Sequence, residues 1–368
     1  MLPFAGCINE FIPKDIREES GLLIIDGTIT DGESVFTLSR SVGISEKLSE
    51  EAMINHAVVT VESNDGARIP AAFGGEGRYT AQTGHLDANL QYRLSVEVDG
   101  ETFQSEYLSP IITAEIDSVF LTKEGKGAPV LVRLSANGGN GSKYYRWKYR
   151  ETWEVKAERY ADARWNDGPG EEEVIFHTLH TSQNTYYCWG RDSSKTLLLG
   201  DTEKLSQNII SQQTIAEIPC NHDKFSILYH IEAEQMQLRE AAYRYLSDMQ
   251  ERAERTGDLF SPVLSAGLRG NIRCAGDPER LAIGYIDVST TTRKDRYVWE
   301  REGFYEPPQV ELADWGGRLC SDYSWTESHH PPILVYREST VDVIHCVDCR
   351  EKEHASKNKP VGWPTEHL

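Results

Sequence analysis

Between Tyr92 and Val98 the chain alternates strictly. Tyr92, Leu94, Val96 and Val98 fall on one side, Arg93, Ser95 and Glu97 on the other. A period of two places successive side chains on opposite faces of an extended chain, so the stretch suits a half-buried strand and no helix. Asp99-Gly100 then supplies a tight-turn pair and Glu101–Ser105 returns. The same unit recurs upstream. Leu22–Ile25 is an apolar run ending at Asp26-Gly27, Val35–Ser39 alternates, and Val59–Glu62 meets the hairpin signal Asn64-Asp65-Gly66. Strands at this spacing, without helices between them, indicate an antiparallel sandwich of immunoglobulin type over residues 21–112, near the usual ~100 residues. Leu90-x-Tyr92 has the spacing of a tyrosine corner; the alternative is that Tyr92 is simply a core aromatic.

Pro110 marks a boundary, and a second β series occupies residues 113–305. It begins with Ile116–Leu121 and Val130–Leu134 and continues into the long run Tyr144–Glu154. There Tyr145, Trp147, Tyr149 and Trp153 share one face. An exposed aromatic row could stack sugar rings, but aromatics in strands chiefly pack, so this row is expected in the core. Residues 156–182, rich in Asp, Gly, Glu and Ala, read as a surface insertion. Further strands are expected at 186–199, 209–218, 224–231, 281–288 and 296–301. One helix is expected over 233–255, where Leu238, Ala242, Leu246, Met249 and Ala253 recur at steps of three or four and Gly257 follows. Its remaining faces are mixed in charge, so the stripe is expected to pack on the second sandwich. From Glu306 regular pattern is lost, and the tail 306–368 carries two Pro pairs, His329-His330 and three cysteines. The fold class expected is all-β: an N-terminal immunoglobulin-like sandwich, a larger β-sandwich with one packed helix, and an irregular disulfide-stapled tail.

Residues 1–20 precede these domains. Ala5-Gly6-Cys7 resembles the lipobox at which bacterial lipoprotein precursors are cleaved and acylated, which would make residues 8–20 a tether. Six residues before Cys7 are too few for a signal peptide, so the reading requires a start upstream of Met1; otherwise Cys7 is an ordinary cysteine. Of seven cysteines, six then remain: Cys188, Cys220, Cys274, Cys320, Cys346 and Cys349. An exported compartment permits three disulfides among them, in any of 15 connectivities. The pairing expected joins Cys188 to Cys220, and Cys274 and Cys320 to the Cys346/Cys349 pair.

The chain has 38 basic and 58 acidic residues, a net charge of −20. Polyanions, both nucleic acid and anionic headgroups, are therefore unfavoured partners. No run approaches the 18 apolar residues of a spanning helix.

Catalytic and metal motifs are sparse. Cys346-x-x-Cys349 could be half of a zinc site with His345, His354 or Cys320, but structural zinc uses two paired ligand sets, and disulfides suit an irregular tail better. His177 and His180 follow the strand-like Val174-Ile175-Phe176, which would point them to opposite faces. His329-His330 beside Pro331-Pro332 reads as a loop. Gly138–Gly141 has no helix after it to hold a phosphate, and Asn166-Asp167-Gly168 with Glu171–Glu173 lacks EF-hand spacing. Neither Gly-x-Ser-x-Gly nor His-Glu-x-x-His occurs. A glycosidase carboxylate pair cannot be located among so many acids. No metal, cofactor or catalytic residue is expected.

The order of motifs resembles a known family. Cys7 is followed by Leu23–Thr30, Tyr92-Arg93-Leu94-x-Val96, Tyr144-Tyr145-Arg146-Trp147 and Cys188-Trp189. Then come Ala242-Tyr243-x-Tyr245-Leu246, Gly270-Asn271-Ile272, Ile283-Gly284-Tyr285, Cys346-x-x-Cys349 and Lys359-Pro360-x-x-Trp363. Together they are similar to the Bacteroidota outer-membrane lipoproteins of domain-of-unknown-function family 4249. That resemblance implies a cell-surface lipoprotein, anchored through Cys7, that assists a TonB-dependent outer-membrane receptor without being an enzyme. The alternatives are a cell-surface glycan hydrolase and a structural or adhesive surface protein. Contact residues for a barrel or its substrate are expected on loops: Tyr160 and Trp165 in the insertion, and Trp315, Tyr323 and Trp325 in the tail. If the anchor is real, the full-length precursor partitions into detergent and incorporates labelled palmitate, and Cys7→Ala abolishes both; label retained by that variant removes the lipoprotein reading.

Overall fold

Seven strands realise the N-terminal alternation: β1 (Leu23–Ile29), β2 (Gly32–Arg40), β3 (Val58–Ser63), β4 (Arg68–Gly75), β5 (Arg78–Gly84), β6 (Tyr92–Val98) and β7 (Glu101–Ser105). The computed structural model describes residues 21–41, 52–158, 160, 163–166, 173–176, 185–256, 270–277, 280, 282–307, 335–337 and 346–364. The later strands are β8 (Ile116–Lys123), β9 (Val130–Asn137), β10 (Tyr144–Lys156), β11 (Ala163–Asn166), β12 (Glu173–Phe176), β13 (Tyr187–Ser193), β14 (Leu198–Asp201), β15 (Ile209–Ile218) and β16 (Leu228–Leu238). Helix α1 (Glu240–Thr256) follows, then β17 (Ile272–Cys274), β18 (Asp287–Val288), β19 (Thr291–Trp299), β20 (Val335–Arg337) and β21 (Ala355–Ser356).

The chain forms two compact units. The first takes the described residues up to Thr113 with Gly141–Tyr145 and Gln237–Thr291. Its strands pair in the order β17-β7-β6-β3-β4-β5-β2-β1-β18. Strand β4 divides that row: Arg68–Pro70 pair with β3 and Ala71–Gly75 with β5. Pro70, which has no N–H to donate, sits where the strand changes partner. The outcome is an immunoglobulin-like sandwich with β1, β2 and β5 on one side and β3, β6 and β7 on the other. One core joins them, from Ile25, Phe36 and Tyr79 on the first side to Val61, Leu94 and Phe103 on the second. Tyr92 is buried and its hydroxyl accepts the Asp87 N–H at 2.9 Å, the bond that a tyrosine corner makes. Asp99 and Gly100 both have positive φ in the β6–β7 turn, as their sequence requires.

Both edges of this sandwich are covered by the segment after the helix. Strand β17 pairs antiparallel with β7, and β18 pairs parallel with β1. The segment's two ends are tied by Asn271, whose amide donates to Ile286 O at 2.8 Å and accepts Ile286 N–H at 2.9 Å. Contact there is too close for any side chain: a Cβ on Gly270 would lie 1.7 Å from Gly284 O.

Helix α1 differs from expectation in extent and in place. Residues 233–238 belong to β16, where Tyr229, Ile231, Ala233, Gln235 and Gln237 alternate into the core and Leu238, on the other face, is also buried. Leu238 stands in step with Ala242 and Leu246 at helical spacing although it ends the strand. The helix lies in the first unit, not the second. It buries Ala242 and Tyr245, with Leu246 and Met249 only half-buried. Tyr245 packs on Tyr285 at 6.0 Å and Tyr243 on Tyr144 at 5.0 Å. Arg239, just before the helix, donates its backbone N–H to Asp287 at 2.9 Å and its guanidinium to Asp287 and Ser109 O.

The second unit takes Ala114–Asn140, Arg146–Met236 and the described residues from Thr292 onward. It contains a sheet ordered β19-β16-β10-β13-β21, with β14 also on β10, and a sheet ordered β15-β9-β8. A third sheet, β12-β11-β20, is drawn partly from what reads as a surface insertion. Trp147 and Trp153 are buried, as is Tyr145, while Tyr149 is half-buried. Trp147 Nε1 donates to Gln235 Oε1 at 2.9 Å, which satisfies both polar groups. Among the described residues no helix is long and apolar enough to cross a membrane.

The first unit's stability should depend on Asn271. Asn271→Ala leaves a buried N–H and a buried C=O of Ile286 without these partners, so chemical denaturation should register a loss of about 2–4 kcal/mol.

Candidate functional site

Strand β10 presents two different faces. Its odd positions from 147 carry Trp147, Glu151, Trp153 and Val155 into the core, whereas Lys148, Arg150 and Lys156 on the even face are exposed. Glu154 breaks that pattern. It lies on the even face and is 0% exposed. The cover comes from the tail, where Trp363 donates its indole Nε1–H to Glu154 Oε2 at 2.7 Å.

Neighbouring strands extend this face. On β13, Trp189 stands opposite Glu154 and Tyr187 opposite Lys156. On β16 the same face carries Leu228 and His230, and on β19 it carries Tyr297 and Trp299. His230 and Tyr297 have ring centroids 4.3 Å apart, and Tyr297 lies 5.8 Å from Trp363. Trp189, Leu228 and Trp363 are buried, while Tyr187, Tyr297 and Trp299 are half-buried and pack against them. The result is an aromatic platform with a buried floor and a partly open rim. Trp189 Nε1 has no acceptor among the described residues.

Cations border the platform. The ammonium groups of Lys357 and Lys359 lie 6.0 Å and 5.7 Å from the Trp189 ring, and the Arg301 guanidinium lies 5.1 Å from the Trp299 ring. Lys357 also donates to Tyr187 O at 2.7 Å, and burial pushes its ammonium below the ordinary lysine range.

The tail is held in place covalently and by pairing. Cys188 and Cys349 are disulfide-bonded with a Cα–Cα distance of 5.5 Å. Strand β21 pairs with β13 at Trp189 and Gly190, and Cys349 N–H donates to Thr185 O at 2.8 Å. Gly190 is required on β13 because a Cβ there would lie 2.2 Å from the Trp153 ring. The expected Cys188–Cys220 bond does not form, and Cys220 and Cys274 are both free and buried. The reason is topological. The tail, not the end of β15, is the edge neighbour of Cys188, while Cys274 lies on β17 in the first unit. Cys346 is also disulfide-bonded, so neither Cys346 nor Cys349 offers a thiolate for zinc.

Behind the platform lies a buried ionic cluster. The Lys224 ammonium contacts Glu151, and Tyr229 donates its hydroxyl to the other Glu151 oxygen at 2.8 Å. Lys224 lies 4.6 Å from the Trp153 ring. Burial, and then the Glu151 charge, push the Tyr229 hydroxyl well above the ordinary phenol range. Burial, and then the Lys224 charge, push His222 down. Both Glu151 oxygens are occupied, so the cluster satisfies itself. A cleft of about 970 Å³ lies elsewhere in this unit, lined by Lys126, Pro219, Cys220, Tyr305 and Glu306 among others. Gly127 N–H and the Lys123 ammonium hold the Glu306 carboxylate there.

Of the residues expected to bind a partner, Tyr160 is half-buried and packs edge-on against Tyr186 at 5.6 Å. Trp165 lies on β11. Trp315, Tyr323 and Trp325 lie outside the described residues, as do Cys7 and Cys320, His177, His180 and the His329-His330 pair. No local sequence pattern marks the platform residues as a set. Their signal was period-two placement, Tyr187 with Trp189 and Tyr297 with Trp299, but their union needs strand order.

Comparison with known proteins adds a family. The model of the domain of unknown function DUF4249 matches residues 9–295. The chain belongs to the DUF4249 family. The match takes in Glu154, Tyr187, Trp189 and His230, and ends before Tyr297, Trp299 and Trp363. A comparison with curated proteins finds no match. Among solved structures, one similar chain is described as "Biofilm associated protein - BSP domain", at 9% identity and a TM-score of 0.16, covering 88% of this chain and 68% of that one. At that score the likeness carries no argument.

Floor and rim of the platform in this DUF4249 chain should separate energetically. Trp363→Ala removes a buried indole and uncovers Glu154, so it should cost about 3–5 kcal/mol in denaturant unfolding. Trp299→Ala at the half-buried rim should cost about 1 kcal/mol or less.

Proposed function

We propose that this protein is a non-enzymatic, lipid-anchored surface protein that holds a ligand for a TonB-dependent outer-membrane receptor, with the aromatic platform as its binding surface. The observation that carries the binding role is the platform's half-open rim over a fixed floor. Tyr187, Tyr297 and Trp299 are partly exposed on rigid strands, which is the economical way to present flat apolar surface to a ligand. Binding is favoured over catalysis because the buried carboxylates nearby serve as acceptors for structural donors, Glu154 for Trp363 and Glu151 for Lys224 and Tyr229. A general acid or base needs a proton site that a substrate can reach. The receptor partnership and the anchor rest on the motif order and the Cys7 pattern.

The test is affinity purification of the tagged full-length protein from outer membranes. A TonB-dependent barrel should co-purify, and Tyr297→Ala/Trp299→Ala should leave that complex intact while slowing growth on the transported nutrient. Recovery of no barrel, together with glycan cleavage by the purified protein, would establish the hydrolase reading instead.

A further inference from the structure

We propose that the aromatic platform binds an anionic glycan, one whose sugar rings carry carboxylates; this rests on the binding role proposed above and assigns its ligand class. The chain has a net charge of −20, yet the platform is bordered by cations. Among the described residues no carboxylate forms an ion pair with Lys156, Arg191, Lys357, Lys359 or Arg301. The first four cluster around Tyr187 and Trp189: Lys156 stands opposite Tyr187 in the ladder, Arg191 follows Trp189 on the same face, and the two tail lysines flank the Trp189 ring. Arg301 lies at the other end, over Trp299.

Elsewhere on the same sheet face the cations are matched. Arg150 pairs with Glu232, and Arg293 with Glu234 at 2.7 Å. Three carboxylates near the platform are also committed: Glu154 to Trp363, Asp295 to His230 at 3.2 Å, and Asp348 to Arg350. Basic groups without a paired carboxylate are therefore concentrated at this place in an otherwise acidic protein. A ligand that answers both features needs flat apolar ring faces and negative charge. A uronic-acid chain has both, because the C–H face of each pyranose can lie on an aromatic ring while its carboxylate reaches the border. Strands about 4.8 Å apart place β19 roughly 14 Å from β13, so a chain crossing the strands would meet several rings in succession. Nucleic acid fits less well. Duplex DNA presents one charge per ~1.7 Å, and a surface of net −20 repels such density beyond the few matched contacts.

The experiment titrates the full chain by calorimetry with hexamers of galacturonate and of mannuronate, with their methyl esters, and with a thymidine hexanucleotide. At least one acid hexamer should bind, its ester about tenfold or more weakly, and raising salt from about 50 to about 500 mM should weaken the acid hexamer about tenfold. Lys359→Gln and Arg301→Gln, both at exposed positions, should each reduce affinity about two- to fivefold without moving the unfolding midpoint. If the esters bind as tightly as the acids and these variants change nothing, the ligand is a neutral glycan; the assignment then falls while the binding role stands. If the hexanucleotide binds as tightly as the acids, the surface is a general polyanion site and the glycan assignment falls. Failure of every hexamer also overturns it, and growth of the Tyr297→Ala/Trp299→Ala strain then decides the binding role separately.

Discussion

A carboxylate removed from water on what is otherwise a solvent-facing strand surface is the constraint around which the second unit's tail is arranged. Glu154 is fully buried, and an ionised carboxylate in that position is tolerated only when donors replace its hydration. Trp363 supplies such a donor at 2.7 Å and its ring closes the site against water. An indole can do this only if the chain that carries it is fixed. The Cys188–Cys349 disulfide, the β21–β13 pairing and the Thr185 contacts to Val347 and Cys349 all hold that chain against the strand next to Glu154. Closing a loop of 161 residues is worth ~5 kcal/mol on the chain-entropy account, enough to order a short segment with little secondary structure of its own.

The first unit solves a related problem with backbone instead of sulfur. A sandwich built from β1 to β7 has open edges, and an unpaired edge invites pairing with another chain. Here residues 270–290 return from beyond the helix and supply β17 to one side and β18 to the other. Gly270 and Gly284 nearly touch, and Asn271 takes the place of a ladder partner for Ile286. The motifs Gly270-Asn271-Ile272 and Ile283-Gly284-Tyr285 are thus two sides of one edge cover. Their conspicuous residue types follow from steric and hydrogen-bonding demands, with no ligand required.

Local periodicity made the immunoglobulin-like sandwich legible because each of its strands writes a period-two pattern and each short turn carries Gly, Asn or Asp. The same reasoning placed Trp147 and Trp153 in the core. The helix start is less legible, since Leu238 stands in step with Ala242 and Leu246 at helical spacing although it ends a strand, and only the alternation upstream of it separates strand from helix. The disulfide pairing was not legible for a different reason. Which cysteine meets Cys188 depends on the neighbour of β13 across 161 residues of chain, and no local pattern encodes strand order at that distance. The platform was hidden in the same way. Tyr187, His230, Tyr297 and Trp363 come from four separate segments and meet only because β19, β16, β10 and β13 lie side by side.

Rigidity is what distinguishes this surface from loops. Loops adapt, but they lose conformational freedom when they grip a ligand, at roughly 0.5–1.5 kcal/mol for each side chain immobilised. Tyr187, Tyr297 and Trp299 are already packed against buried neighbours on paired strands, so much of that ordering is complete before a ligand arrives. Lys357 is similarly fixed through its bond to Tyr187 O. Trp363, buried and pinned by Glu154, keeps the floor beneath the rim from collapsing. A protein that must take up and release a ligand repeatedly gains from such an arrangement. On the proposed binding role, affinity would come from a few stacked rings and surface charges on a surface that is already ordered.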